Sequence, residues 1–215
     1  MNLEKLRKIQ ETMAKSVIVE DKYSIDELEF VIGVDQAFQD DTVISACVLL
    51  SLPELEVIDK NVSVAKAPMP YIPTFLMFRE GKPAVDAVRK LLKEKCVIMV
   101  DGSGIAHPRR CGLATYIGLK LGAPSIGVTK KKLYGRVEEP ENVMKAEPIY
   151  NDDEVIGYAI KTCKKCKPIY VSPGHLISPE TAVMLVKMCV KKHKLPEPIR
   201  LAHELASESK FKLNH

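Results

Sequence analysis

Nowhere in this 215-residue sequence does an apolar run approach the roughly 18 residues that a membrane-spanning helix needs. The opening stretch, MNLEKLRKIQETMAK, alternates charge with apolar residues and so offers no signal-peptide core. A cytoplasmic protein with no membrane partner is the resulting expectation. Internal repeats, low-complexity tracts and domain linkers are missing too, which leaves one domain, residues 1–215. The six cysteines, at 47, 96, 111, 163, 166 and 189, have no regular spacing and several lie in apolar runs, which excludes a small disulfide scaffold. Cys163-Lys-Lys-Cys166 has the spacing of half a zinc site, but no second ligand pair follows it, so zinc is not expected.

What is present is ordinary globular composition, 46% hydrophobic and 28% charged, enough for a sizeable core. Net charge is only +4, from 32 Lys plus Arg against 28 Asp plus Glu, but the charges are segregated. Between Gly102 and Val137 no acid occurs, while Arg109, Arg110, Lys120, Lys130, Lys131, Lys132 and Arg136 are all basic. A second block, Lys161 to Lys194, holds eight lysines against Glu180 alone. If the blocks meet in the fold they form a positive surface suited to nucleic acid. Solvated faces are the alternative.

Leu3, Leu6, Ile9 and Met13 at helical spacing predict an amphipathic opening helix. Glu29 to Phe38, Val43 to Leu52 and Leu55 to Val64 read as strands of an antiparallel meander, with Asp40 and Asp41 at the first turn. Prolines at 68, 70 and 73 then stiffen a loop that carries Tyr71, and a helix is expected over Pro83 to Lys93. Cys96 to Val100 and Ser125 to Val128 are short, buried strands, with a helix over Arg110 to Leu121 between them. Residues 138 to 154 read as an acidic loop, and Val155 to Lys161 with Pro168 to Val171 as a hairpin. Ser178, Pro179 and Glu180 form a helix start, and a last helix covers roughly Pro198 to Ser207. Antiparallel strands followed by strand and helix alternation predict an α/β fold with a mixed sheet, a meander plus parallel strands flanked by helices.

Asp35, Glu80 and Asp101 each stand at or near the end of an apolar segment. Three converging carboxylates make a hard-oxygen site for Mg²⁺ or Mn²⁺, and such ions assist phosphodiester hydrolysis. Asp101 opens DGSGIAHPRR, where Gly102 and Gly104 allow close backbone approach, His107 is titratable, and Arg109 and Arg110 bring fixed charge. Lys130 leaves the next strand as Asp101 leaves its own. Tyr71, held between prolines, suits stacking on a base or wedging into a duplex, or packing over the core edge.

The segments GVDQAF, PYIPTFLMFRE, DGSGIAHPRRCGLATYIG, IGVTKKKLYG, VSPGHLISPETA and LPEPIRLAH together resemble the endonuclease V family, in matching order from about residue 30 to 205. The resemblance implies a ribonuclease H-like fold and Mg²⁺-dependent hydrolysis of the second phosphodiester bond 3′ to deoxyinosine or inosine, leaving 3′-hydroxyl and 5′-phosphate ends. It implies metal binding at Asp35, Glu80 and Asp101, with His203 in RLAH beside them as a further ligand or orienting group. It places Lys130 near the reacting phosphate, His107 in the active-site loop, Tyr71 as strand-separating wedge, and Gly102, Gly104 and Leu133 in a pocket for the extruded base. Arg109 and Arg110 are assigned to the neighbouring backbone, Mn²⁺ is expected to substitute for Mg²⁺, and the protein is expected to be a monomer. One departure stands out: Thr74 fills a place where the family often has glycine after PYIP. A ribonuclease H-like resolvase or general nuclease, and a non-catalytic nucleic-acid-binding module, are the alternative readings.

Overall fold

In the computed structural model, which describes residues 2–213, eight strands share one sheet. Three antiparallel strands open it: β1 (Phe30–Gln39), β2 (Thr42–Ser51) and β3 (Val57–Lys66). β4 (Cys96–Asp101) then lies parallel to β1, and β5 (Ser125–Thr129) parallel to β4. β6 (Ala146–Asn151), β7 (Glu154–Ile160) and β8 (Ile169–His175) complete the order β3-β2-β1-β4-β5-β8-β7-β6 by antiparallel pairing. This is the mixed sheet of a meander plus parallel strands that the sequence predicts.

Alternation along the central strands builds two cores. Ile32, Val34, Ile98 and Val100 face α2 (Leu76–Arg89) and α3 (Leu113–Leu121), whereas Val31, Val97 and Met99 face α4 (Pro179–Cys189) and α5 (Glu197–Leu213). Each fully buried aliphatic side chain stabilises the fold by roughly 1.5–3 kcal/mol, so both faces of β1 and β4 are firmly held. Gly33 sits where α5 crosses: a Cβ there would come within 1.9 Å of the Pro198 carbonyl oxygen. That close crossing carries the next turn of α5 over β1.

Several boundaries differ from the sequence reading, each for a physical reason. α2 begins at Leu76 rather than Pro83, and Pro83 lies inside it. Burial of Met77, Glu80 and Gly81 on the first turns outweighs the lost hydrogen bond to the Arg79 carbonyl. The acidic excursion contains β6, the last strand in the sheet order, whose outer edge carries just the Arg136–Tyr150 bridge among the described residues and so tolerates Pro148. In α1 (Leu3–Ala14) it is Gln10 that is buried, at 0% exposure, while Ile9 is 36% exposed. Cys163 and Cys166 are joined in a disulfide, which closes a surface loop between β7 and β8. Ser178 caps α4 as expected, its side chain accepting from the Thr181 amide, with Pro179 first in the helix.

Candidate active site

Strand register brings two of the three acids together. Val34 pairs with Val100 in the parallel β1–β4 ladder, so the next residues, Asp35 and Asp101, stand side by side on the α5 face. β4 ends there while β1 runs on, and Glu80 reaches the same place from α2. Burial and charge record the convergence. The Asp35 carboxyl is pushed above its usual range by burial and then by the Asp101 charge, against hydrogen bonds from His203 and the Gln36 amide. Glu80 is pushed up to about 7 by burial, with Asp35 and Asp101 adding to the rise and Arg79 opposing it.

Two cationic or polar groups complete the cluster. His203 Nδ1 lies 2.7 Å from Asp35 Oδ2, and the Gln36 amide donates to Asp35 Oδ1 at 2.7 Å. Lys130 Nζ donates to Asp101 Oδ2 at 2.9 Å. Burial works against the Lys130 charge, but the Asp101 and Asp35 carboxylates outweigh it and raise its proton affinity.

The donor set fits a hard divalent cation: carboxylate oxygens with one imidazole, two of the acids buried and repelling each other's ionised forms. Among the described residues no three acidic, histidine or cysteine side chains are already disposed as a cage. The Lys130 and His203 contacts to the two aspartates explain this, because each occupies an oxygen that an ion would share. The charge clustering weighs more than the missing cage, since buried like charges need a counter-charge.

A cavity of about 380 Å³ opens beside this cluster. Tyr71, Thr74, Gly102, His107 and Leu133 line it, with Asp101 and Lys130 at the metal-site side. Tyr71 is 59% exposed, and the Arg79 guanidinium, 4.1 Å from the Phe38 ring centroid, lies 6.0 Å from that of Tyr71. The volume and the mostly apolar walls suit a flat heteroaromatic ring.

Three sequence expectations, Gly104, Arg110 and Arg109, are placed differently, while His107 lies at the cavity as expected but is held on both sides. Gly104 does not line the cavity; it packs on β8, where a Cβ would come within 2.1 Å of the Pro173 carbonyl oxygen, and its amide donates to Ser172 Oγ. Arg110 is turned away into a two-point ion pair with Glu154. Arg109 points inward, donating to Gln10 Oε1 and to Thr74, with its guanidinium 4.5 Å from the Phe75 ring centroid. His107 lines the cavity, yet both its nitrogens are engaged within the protein: Nδ1 accepts from the Arg109 amide and Nε2 lies 3.0 Å from the Thr74 carbonyl. Burial, with the Arg109 charge, pushes its pKa down to about 4, which favours the neutral imidazole in this arrangement.

Sequence reasoning missed Gln10 and Arg79. Gln10 does carry a signal, since it falls on the 3, 6, 10, 13 stripe of α1, where a solvent-facing helix would show an apolar residue. Arg79 was readable only as the neighbour of Glu80.

Comparison with known proteins gives a consistent answer. Residues 11–204 match the family model described as Endonuclease V. The chain is 57% identical over 213 residues to the endonuclease V of Archaeoglobus fulgidus, covering 99% of this chain and 96% of that one. The crystal structure of the endonuclease V from Streptomyces avermitilis superimposes with a TM-score of 0.91 at 30% identity, covering 100% of this chain and 95% of its own. The Ciona intestinalis endonuclease V, solved in complex with a 23mer DNA containing an inosine followed by a ribo-adenosine, gives 0.85 at 29% identity and covers 98% of each chain.

Proposed function

The chain belongs to the endonuclease V family and is a metal-dependent nuclease that hydrolyses phosphodiester bonds; on that premise we propose that it cuts nucleic acid at the second phosphodiester bond 3′ to deoxyinosine or inosine, in the repair of deaminated adenine. The products are a 3′-hydroxyl and a 5′-phosphate. The observation that carries this reading is the position of Asp35, Glu80, Asp101 and Lys130 beside a cavity large enough for one base. The inosine-containing DNA bound by the Ciona relative supports the choice of lesion.

Mg²⁺ is the ion proposed, with Mn²⁺ as substitute, held by Asp35, Glu80 and Asp101. When bound it supplies Lewis-acid activation of water and neutralises charge on the leaving oxygen. His203 fixes the Asp35 carboxylate from α5, a role that sets the oxygen left free for the ion. Lys130, already drawn to Asp101, places an ammonium at the cavity mouth, where it can hold the phosphate undergoing attack. Tyr71 takes the place of the extruded base in the duplex, while Gly102 and Leu133 bound the pocket that receives it. A lesion pair unstacks more easily than a matched one, which favours extrusion of the damaged base.

The 215 residues act as a single domain in this proposal, supported by the sharing of one sheet among all eight strands. No helix among the described residues is long and apolar enough to cross a membrane. A cytoplasmic site of action is proposed with it.

The test compares one duplex with and without a single deoxyinosine, in Mg²⁺ and in Mn²⁺, and the matching inosine RNA. Cleavage confined to the lesion strand, two bonds to its 3′ side, is the expected outcome. Equal rates on both duplexes would replace the lesion reading with that of a general nuclease, and Asp101→Asn should abolish turnover while sparing binding.

A further inference from the structure

Thr74 combines two features that belong together. Its backbone lies in the left-handed region, at φ 68°, which a β-branched residue rarely adopts. Its carbonyl oxygen meets three donors: Gln10 Nε2 at 2.9 Å, Arg109 Nη2 at 2.8 Å and His107 Nε2 at 3.0 Å. A carbonyl offers two lone pairs, so this is more than a turn needs. Arg109 Nη2 also donates to Thr74 Oγ1 at 2.6 Å. A glycine at this place would adopt the same backbone freely, but it would lack the hydroxyl.

The donors come from distant chain. Gln10 is the one fully buried residue of α1, and each of its amide atoms is used: Nε2 also donates to the Cys111 carbonyl and Oε1 accepts from Arg109 Nε at 2.6 Å. His107 and Arg109 lie on the loop that follows β4. The segment they hold has little support of its own. From Ala67 to Phe75 it forms no strand or helix, and its backbone bonds run from Ala67 to Asp41, from Phe75 to Ile72 and from Phe78 to Phe75. Yet Tyr71, Pro73 and Thr74 in this segment form one wall of the cavity.

We propose that Gln10, Arg109 and His107 clamp Thr74 and thereby set the position of the Tyr71 wall, which makes Gln10, on the first helix, a positioning residue for recognition of the lesion. The inference rests on the lesion-endonuclease reading above for its substrate, though not for its structural half. The clamp ties the base pocket to a helix that carries none of the proposed metal ligands. Thr74 is then an active participant, anchored through its hydroxyl.

Gln10→Met keeps the volume and removes every polar atom; Thr74→Val keeps the shape and removes the hydroxyl. For each, KM for the deoxyinosine duplex should rise about tenfold, the scale of one lost hydrogen bond, with the loss in KM and not in kcat. Thr74→Ser, which restores the acceptor, should recover the wild-type value. Amide exchange read on peptides covering 67–75 should quicken in Gln10→Met while peptides from β1 and β4 keep their protection. Unchanged exchange at 67–75, a loss confined to kcat, or loosening spread through the sheet would overturn the clamp. Wild-type protein that cuts lesion and control duplexes alike would instead overturn the substrate reading, and exchange at 67–75 would still decide the clamp.

Discussion

His203 Nδ1 and Asp35 Oδ2, 168 residues apart in the chain, lie 2.7 Å from each other and join α5 to the middle of β1. The contact exists because Gly33 lets the Pro198 backbone approach the strand, so that the helix passes over Asp35 one turn later. A half-exposed imidazole on a buried carboxylate holds that carboxylate in one orientation.

Removing that hold should weaken the ion more than the chemistry. His203→Ala is expected to raise the Mg²⁺ concentration for half-maximal cleavage by about 10- to 100-fold, the range for groups that orient or supplement metal ligands. A metal titration of the initial cleavage rate measures it. An unchanged midpoint would remove His203 from the metal site.

Glu80 sets function against stability. Its folded pKa of about 7 exceeds the unfolded value of 4.5, so the folded state holds the proton more tightly. Stability from this group is present below pH 4.5 and is lost as pH rises through 7. Glu80→Gln removes that penalty, so in EDTA at pH 8 the variant should unfold roughly 8 °C higher, from about 3 kcal/mol, and match wild type near pH 4.5. Cleavage should be lost, as expected when an acid that holds the ion is neutralised. Thermal unfolding at the two pH values separates this from a general packing effect.

Lys130 is the cation nearest the metal site that also borders the cavity. Lys130→Met should cut kcat by about 10²-fold and lower the slope of log affinity against log salt by about 0.9, the value for one phosphate contact. Binding isotherms at several salt concentrations, taken with Ca²⁺ in place of Mg²⁺, give the slope. An unaltered slope would leave Lys130 as a partner of Asp101 alone.

What the sequence made legible was whatever depends on neighbouring residues. Ser178-Pro179-Glu180 marks a helix start because cap, first turn and charge are consecutive. Asp35 and Asp101 could be read as strand ends, but their adjacency comes from a parallel register between residues 66 apart in the chain, which no local pattern encodes. Pro83 misled because its usual place at a helix start was overridden by burial of the preceding turn. β6 hid in an acidic stretch because an edge strand need not be apolar on either face. The inward turn of Arg109 and the sealing of His107 are tertiary facts, set by contacts with Gln10 of α1 and with Thr74 that lie far apart in the chain.

That sealing has a pH signature opposite in sign to that of Glu80. His107 is buried and neutral, with a folded pKa of about 4 against 6.5 unfolded, so the unfolded state gains the proton first as pH falls. Stability from this group is full above pH 6.5 and is lost as pH drops towards 4, by up to about 3 kcal/mol. His107→Gln places an amide nitrogen where Nε2 stands, so it keeps a donor to the Thr74 carbonyl and cannot titrate. Urea unfolding at pH 7 and at pH 4.5 should therefore show a smaller acid loss in the variant than in wild type, even if the variant starts lower at pH 7. Equal acid losses would mean that His107 gains a proton in the folded state, which would break its acceptance from the Arg109 amide and return it to the candidates for direct contact with the phosphate.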